Sequence, residues 1–446
     1  MPSAAVSITS GWMLRRLSAQ PWKKNAKQGI GPTRRRLMTP MMSTDWKIMK
    51  LSSRIRNIGA SVTLEIDSKA KQMRSQGIRV ISFGTGEPDF PTPQYIAEAA
   101  SRAALDPQNH KYTATQGLPE LREAIARKTL RDSGYPADPA DIVVTNGGKQ
   151  AVYEAIQIVA DPGDEVIIPS PYWVSYTEAV KLAGGVPVCV PAVADTNFEP
   201  AVEQLERVRT PATKAVIVNS PNNPTGSVWS EQVLRDIARW ALENGIWVLS
   251  DEIYEHLVYD GAEASHIGAL EPDIRRQLIV VNGVAKTYAM TGWRVGWLIA
   301  PPDAAAAATR LQGHMTSNVN NIAQRAAIEA VSGDLSAVAG MRAAFDVRRH
   351  AIVSALNRIP GISCSLPEGA FYVFADIRGL LGRPLGSRKK VYTDSVQLAS
   401  DLLDDIHIAV IPGEGFGMLG YIRFSYALSD DDLAEGMSRL EKWVML

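Results

Sequence analysis

Short apolar runs alternate with longer amphipathic stretches between about residue 91 and residue 332. Each apolar run has the length of a strand and stops abruptly at polar residues, Gly or Pro, whereas the amphipathic stretches have helical spacing. Strands that are apolar on both sides are typical of a parallel sheet covered by helices. The pattern therefore predicts an α/β fold with a mostly parallel main sheet. The apolar runs are residues 142–144, 166–168, 215–218, 246–249 and 278–281.

The same pattern divides the chain into parts. Residues 92–334 carry the alternating elements and are predicted to form a large domain, and residues 335–446 are predicted to form a smaller α+β domain. Residues 45–91 would supply an N-terminal arm and complete the small domain. Within the small domain, residues 379–390 are rich in Gly, Arg and Lys, which predicts an exposed loop.

Residues 1–44 form a basic extension without an acidic residue or the pattern of a packed core, so we expect them to be disordered. Their composition resembles an organelle transit peptide. It is equally compatible with a start codon misplaced upstream of Met38, Met41 or Met42 in a cytoplasmic protein, which is the interpretation that we favour. A nucleic-acid-binding tail is a third interpretation, with little support because interleaved aromatic residues are almost absent.

Composition excludes several classes of protein. The chain of 446 residues has 47 basic and 47 acidic side chains, so no net charge steers it towards nucleic acid or an anionic membrane. Cys189 and Cys364 cannot build a disulfide framework, and the histidines lack the spacing of a zinc site. No apolar run is long enough to cross a bilayer, so we expect a soluble protein.

A lysine and an arginine lie close together after the last of the apolar runs. Lys286 would lie at a strand exit, where a scaffold presents side chains to a cleft, and its amine could capture an aldehyde. Arg294 could bind a phosphate, and Gly292 and Gly296 would let the backbone approach closely. This segment offers both anchors of pyridoxal phosphate. The alternative is a solvated loop lysine beside an ordinary surface arginine.

Two other strand ends carry polar groups that suit the same cofactor. Asp251 ends an apolar run and could keep the pyridine nitrogen protonated, which makes the ring an electron sink; the alternative is a helix N-cap. Asn223 follows another run, between prolines, and could donate a hydrogen bond to the phenolic oxygen together with Tyr254. As pure structure, the Asn223 segment is a common turn.

A glycine turn precedes a predicted helix at Gly147 and Gly148. Backbone amides at that helix start would favour an anion such as the phosphate, although an ordinary strand-to-helix connection explains the turn equally well. Trp173 follows the next apolar run and could stack on the pyridine ring, although a tryptophan there is more often part of the core.

Taken together, these five motifs resemble the class I aminotransferases of fold type I, which depend on pyridoxal 5′-phosphate, and they occur in the order of that family from about residue 51 to the C-terminus. The resemblance implies a large domain with a mostly parallel seven-stranded sheet between helices, and a shared active site in a homodimer. It assigns Lys286 to the aldehyde, Asp251 to the ring nitrogen, and Asn223 with Tyr254 to the ring oxygen. It assigns Trp173 to the ring face, and Gly147, Gly148 and Arg294 to the phosphate.

The resemblance also implies residues that bind the substrate. Arg423 is similar to the arginine that clamps the α-carboxylate, for which a solvated edge residue is the alternative. Gly86 matches the loop that closes over the substrate, and Tyr112 matches a tyrosine that reaches the phosphate of the neighbouring subunit. Lys149 matches a lysine that binds the distal carboxylate of the substrate in the subgroup of aspartate and prephenate aminotransferases. Thr63 matches a threonine that lines the substrate pocket in the same subgroup.

Two features depart from the family's usual pattern. Ala285 and Gly283 stand where many relatives carry a hydroxyl residue that helps to hold the phosphate, so the other phosphate partners must contribute more. The segment around Thr63 also differs from the usual wording, which leaves the amino-acid specificity open.

The expected activity is transfer of an amino group between an amino acid and a 2-oxo acid by ping-pong kinetics, with aspartate or glutamate first and prephenate possible. One alternative keeps the cofactor but changes the reaction, as in an aromatic or alanine aminotransferase or a C–S lyase. A non-catalytic regulator is a third hypothesis, which the short and unpatterned basic extension does not favour, since family members of that kind carry a winged helix there.

Overall fold

A central sheet of seven strands organises the protein, as seen in a computed structural model that describes residues 50–56, 58–59 and 62–446. The strands are β1 (Ile142–Thr145), β2 (Glu165–Ser170), β3 (Val186–Pro191), β4 (Thr213–Asn219), β5 (Trp247–Asp251), β6 (Leu278–Gly283) and β7 (Gly296–Ile299). Their spatial order in the sheet is β1-β7-β6-β5-β4-β2-β3. Among these strands only the contacts of β7 are antiparallel, since β7 lies between β1 and β6 and opposes both.

Helices cover both faces of this sheet. Successive side chains of a buried strand point to opposite faces, so a buried strand contributes to two hydrophobic clusters. In β6, Leu278 and Val280 pack into one hydrophobic cluster, and Ile279 and Val281 pack into another. Helices that contribute to the first cluster include Gln94–Leu105, Pro119–Ser133, Val202–Val208, Glu231–Asn244 and Asn321–Ser332. Those of the second are Gly148–Val159, Ser175–Ala183 and Pro302–Met315.

A separate hydrophobic cluster surrounds a three-stranded antiparallel sheet near the C-terminus. Its strands are β8 (Tyr372–Asp376), β9 (Ile411–Pro412) and β10 (Tyr421–Ser425), with β10 in the middle. The accompanying helices are Ser336–Asn357, Ser395–Ile406 and Asp430–Met445. The short strand Ile81–Ser82 pairs in parallel with Ile408–Ala409, which ties the N-terminal part to this region. Further helices are Ser53–Arg56, Val62–Ser75 and Ile267–Leu270.

Residues 51–446 form one compact unit. The domain boundaries 45–91, 92–334 and 335–446 therefore stay predictions, and the predicted disorder of residues 1–44 lies outside the described residues. In the part of the chain that the structure describes, no helix combines the length and the apolar character needed to cross a membrane.

The segment 379–390 is more ordered than the predicted exposed loop. Pro384–Leu385 pairs with Lys390–Val391 as a small antiparallel hairpin, and Leu380 and Leu385 are buried in the C-terminal cluster. Its glycines suggested a loop because Gly is frequent in turns, whereas the two buried leucines anchor the segment to the core.

Candidate active site

A cavity of about 460 Å³ opens at the carboxyl ends of β4, β5 and β6. In sheets of this kind, ligands bind beyond the carboxyl ends of the strands. The cavity wall includes Glu87 from the loop after Ile81–Ser82, and Tyr372 from β8. It brings together ten residues that the sequence predicted for the site: Gly86, Gly148, Lys149, Trp173, Asn223, Asp251, Tyr254, Lys286, Arg294 and Arg423.

Lys286 lies three residues beyond the end of β6, half-buried in the cavity wall. Its Nζ donates a hydrogen bond to the carbonyl oxygen of Gly86 and lies 5.7 Å from the ring centre of Phe371. Burial lowers the pKa of this amine to about 8, against an opposing contribution from Glu87. A lysine with a lowered pKa has more of the neutral, nucleophilic form at neutral pH.

Asp251 is the last residue of β5 and is buried. Its Oδ2 accepts a hydrogen bond from the Tyr176 hydroxyl at 2.8 Å, and the Asn219 side chain donates to its backbone carbonyl at 3.0 Å. Burial raises the pKa of the Asp251 carboxyl to about 6, and the bond from Tyr176 opposes this rise. A buried carboxylate of this kind is stabilised by a cationic partner.

Arg423 lies on the central strand β10 and is buried, not at a solvated edge. It donates hydrogen bonds of 2.9 Å to Asn223 Oδ1 and to the carbonyl oxygen of Gly84. Its guanidinium carbon lies 4.4 Å from the ring centre of Tyr372 and 5.0 Å from that of Phe416. Its buried Nε has no hydrogen-bond partner among the described residues. An unsatisfied buried guanidinium N–H favours an incoming acceptor such as a carboxylate.

Tyr254 is buried at the cavity wall, where its hydroxyl lies 2.9 Å from the hydroxyl of Tyr372. Burial raises the pKa of Tyr254 well above its usual value of 10, with a further contribution from Tyr372. The Tyr254 hydroxyl is therefore protonated at neutral pH and can donate a hydrogen bond.

Gly147 and Arg294 form a cradle at the start of the helix Gly148–Val159. Gly147 has a φ of +82°, and a Cβ at this position would lie 2.5 Å from Nη2 of Arg294. The Arg294 guanidinium is held by the carbonyl oxygens of Thr291 and Asn146, at 2.9 and 3.1 Å. A helix N-terminus and a fixed cation together favour an anion at this end of the cavity.

Lys149 and Trp173 lie beside this cradle. The Lys149 ammonium lies 5.1 Å from the ring centre of Trp173, which packs edge-on against Tyr176. Burial and the nearby Arg294 guanidinium lower the pKa of Lys149. The Lys149 and Arg294 cations repel each other, so an anionic ligand beside them is stabilised.

Three predicted site residues lie elsewhere or only border the cavity. Gly147 borders it through the contact with Arg294. Tyr112 lies outside the cavity wall and is 90% exposed. Thr63 belongs to the helix Val62–Ser75, and its side chain lies outside the described part of the structure.

The structure adds residues that the sequence did not single out, above all Tyr176 and Tyr372. Tyr176 occupies an amphipathic helix and Tyr372 an apolar strand, so both have the pattern of ordinary core residues. Asn219 is the exception, because its position at the end of an apolar run, like that of Asp251, was a usable signal.

Comparison with known proteins agrees with this geometry. Residues 78–440 match the family described as aminotransferase class I and II. The chain is 56% identical to an aspartate aminotransferase of Streptomyces avermitilis, over 88% of this chain and 96% of that protein. It is 43% identical to an aspartate/prephenate aminotransferase of Cereibacter sphaeroides, over 88% of this chain and 98% of the relative. The crystal structure of the aspartate aminotransferase from Rhizobium meliloti matches with a TM-score of 0.86 and 39% identity, over 89% of this chain and 99% of that chain. The chain therefore belongs to the class I and II aminotransferases and is a transaminase of fold type I that depends on pyridoxal 5′-phosphate.

Proposed function

We propose that this transaminase uses a dicarboxylic amino acid, aspartate or glutamate first, as amino donor and a 2-oxo acid as acceptor. The observation that carries the proposal is the pair of cations, Arg423 and Lys149, on the wall of the cavity that also contains the Lys286 amine. Two cations can bind the two carboxylates of such a substrate. Two relatives are an aspartate aminotransferase and an aspartate/prephenate aminotransferase, which supports the same choice and makes prephenate a second candidate substrate.

The cradle residues fit the phosphate of the cofactor. Gly147 and Gly148 would offer backbone amides at the helix start, and Arg294 would offer a guanidinium held in place by two backbone carbonyls. Because Gly147 has no Cβ, the space next to the Arg294 guanidinium stays open. The Cβ of any other residue would fill that space. The donor set therefore matches a dianionic group.

The cavity wall fits the cofactor ring. The buried Asp251 carboxylate would hold the protonated ring nitrogen, and Trp173 would cover one face of the ring. The Asn223 side-chain oxygen is taken by Arg423, so its NH₂ group is the end that can donate to the ring oxygen. The Tyr254 hydroxyl would share that role.

Bound pyridoxal phosphate supplies an aldehyde carbon and a ring that withdraws electrons from the substrate Cα. The Lys286 amine would hold the cofactor before substrate arrives and would then move a proton from Cα, with Nζ as base and acid. Arg423 would orient the α-carboxylate, and Asp251 would keep the positive charge at the ring nitrogen. These residues act in both half-reactions of the ping-pong cycle.

The Lys286→Ala variant tests the proposal. We expect turnover to fall by about 10⁴-fold or more, at the upper end of what a general base contributes, and we expect the absorbance band of the lysine-bound cofactor to disappear. Lys181→Ala, which removes a surface lysine paired with Glu178, is the control and should keep both. Turnover of Lys286→Ala at the wild-type rate would refute the assignment.

Specificity is tested by Lys149→Ala. Loss of a charge-assisted hydrogen bond to the distal carboxylate should raise the KM for aspartate about 10- to 100-fold. The KM for alanine, which lacks that carboxylate, should change little. Equal effects on both substrates would instead favour a neutral amino-acid transaminase or a C–S lyase.

The proposal includes a homodimer and a cytoplasmic location. Tyr112 is a large side chain with 90% exposure, as a residue that reaches a neighbouring subunit would be in one chain described alone. Cys189 and Cys364 are both free thiols, which suits a reducing compartment. An organelle with a cleaved transit peptide is the alternative, and N-terminal sequencing of the mature protein decides between the two locations.

A further inference from the structure

Tyr372 contacts both the proposed substrate clamp, Arg423, and the proposed cofactor donor, Tyr254. It is the first residue of β8 and only 1% exposed, and its ring lies against the Arg423 guanidinium at 4.4 Å. Its hydroxyl lies 2.9 Å from the Tyr254 hydroxyl. A Cβ on Gly86 would lie 3.3 Å from the same hydroxyl, so Tyr372 also reaches the loop that contacts Lys286. It thus touches the substrate clamp with its ring and the proposed cofactor donor with its hydroxyl.

In the cofactor-free protein either tyrosine hydroxyl can donate to the other, and burial and Tyr372 both raise the pKa of Tyr254. Once the cofactor is bound, the direction of this hydrogen bond follows from the partners of the two hydroxyls. A hydroxyl has one proton to donate and can accept two hydrogen bonds, so one of the pair donates and the other accepts. In the proposed function, Tyr254 donates its proton to the ring oxygen of the cofactor. The proton shared between the tyrosines must then come from Tyr372.

We propose that Tyr372 is a positioning residue that donates its hydroxyl proton to Tyr254 and thereby directs the Tyr254 proton at the phenolic oxygen of the cofactor. This inference rests on the proposed function, because it requires the cofactor to lie against Tyr254. A hydroxyl that accepts a hydrogen bond becomes a stronger donor, by roughly 10–30% per bond. Tyr372 therefore increases the stabilisation of negative charge at the phenolic oxygen without touching the cofactor.

Among the described residues, few charged groups face Tyr372 and Lys286. Arg423 and Glu87 face Tyr372, and the groups that act on Lys286 are Glu87, Arg423, Arg294 and Asp251. Replacing Tyr372 by Phe leaves all of these charges in place, together with the ring against Arg423. A change in the titration of the bound cofactor would therefore report the missing hydroxyl.

The experiment is a pH titration of the absorbance of the lysine-bound cofactor in the holoenzyme. In Tyr372→Phe we expect the pKa read from this band to rise by about 0.3 to 1 unit, because a weaker donor at the phenolic oxygen stabilises its anion less. The KM for aspartate should stay within about two-fold, since the ring against Arg423 remains. In the Tyr254→Phe background, the same change should leave the pKa unmoved, because the relay is already broken.

Two further variants sharpen the test. Placing 3-fluorotyrosine at position 372 makes a stronger donor of nearly the same shape, so the pKa should fall. Tyr259→Phe is the matched control, because its hydroxyl is buried in the same hydrophobic cluster but donates to the carbonyl oxygen of Ala370 at 2.6 Å, away from the cavity wall. We expect no shift in that control.

Three results would overturn the inference. These are an unchanged pKa in Tyr372→Phe, a shift that persists in the Tyr254→Phe background, or an equal shift in Tyr259→Phe. The proposed function would survive all three, since the wild-type band would still be present. Absence of the band from the wild-type enzyme would instead refute the proposed function and this inference with it.

Discussion

Individual ionisable residues in the cavity are held away from their usual pKa by burial. Burial raises the pKa of Asp251 to about 6 and lowers that of Lys286 to about 8. Each shift favours the neutral form of the isolated group. The protonated ring nitrogen of a bound cofactor would stabilise the ionised form of Asp251. The cofactor aldehyde would meet a Lys286 amine that is already partly neutral.

We expect Asp251 to make cofactor binding dependent on pH. In the cofactor-free enzyme its carboxyl is protonated below about pH 6 and ionised above it, so only the higher range offers a charge to the ring nitrogen. We expect the affinity for pyridoxal phosphate, measured by equilibrium dialysis, to rise between pH 5 and pH 7 more steeply than in Asp251→Asn. Turnover of Asp251→Asn should fall by about 10²- to 10³-fold, the usual effect of losing one fixed electrostatic partner.

Asp251→Asn is also the control in this experiment, because the cofactor phosphate and Lys286 titrate in both proteins. The difference between the two binding curves isolates the carboxylate. Parallel curves over the whole range would show that Asp251 does not pair with the ring nitrogen.

At the scale of elements, strand ends and one helix start meet at the same edge of the sheet. Strand β7 contributes to this by close backbone contact, since a Cβ on Gly296 would lie 2.5 Å from the backbone nitrogen of Gly148 and 2.6 Å from the backbone carbon of Gly147. The glycine in β7 therefore lets the turn Gly147–Gly148 approach the sheet. This contact sets the position of the proposed phosphate cradle.

Gly296→Ala should displace the turn and weaken the cradle. We expect a loss of about 1–3 kcal/mol in the free energy of unfolding, as for other overpacked sites, together with weaker binding of pyridoxal phosphate. Gly292→Ala is the matched control, because nothing lies within 4 Å of a Cβ at that position. Thermal unfolding and cofactor titration measure both effects, and equal results for the two variants would contradict this role of β7.

At the scale of the whole molecule, the exposed Tyr112 bears on the proposed dimer. If its hydroxyl reaches the phosphate in the neighbouring subunit, Tyr112→Phe should weaken binding of pyridoxal phosphate by about 10-fold, the effect of one hydrogen bond to a charged group. Binding of pyridoxal, which lacks the phosphate, should not change. Equilibrium dialysis of both compounds measures the difference.

Mixed dimers give the decisive control. A hybrid of one Tyr112→Phe subunit and one Lys286→Ala subunit has one site with neither substitution if Tyr112 acts across the interface. The activity of that site should depend on the concentration of pyridoxal phosphate as it does in the wild-type enzyme. Failure to recover it, in a sample shown by sedimentation to be dimeric, would place Tyr112 in its own subunit or outside the site.

Much of this protein could be predicted from the order of polar residues after apolar runs. Family membership, fold type and cofactor were predicted correctly, and the mostly parallel sheet of seven strands is confirmed. Asp251 and Lys286 were recognisable because parallel strands bring their carboxyl ends to one edge, whatever the helices between them do. The chemical type of each side chain then restricts what the edge can bind.

Other features were decided only by the tertiary structure. The bond from Tyr176 to Asp251 and the contact of Tyr372 with Tyr254 join residues 75 and 118 positions apart, inside elements whose pattern is that of plain core. Such contacts depend on how helices and sheets pack, which local periodicity does not encode. The sequence by itself thus determined the elements and the chemistry at their ends, because both follow from local pattern. Packing decided which buried hydroxyls support that chemistry, because only the folded chain brings distant side chains within hydrogen-bond distance.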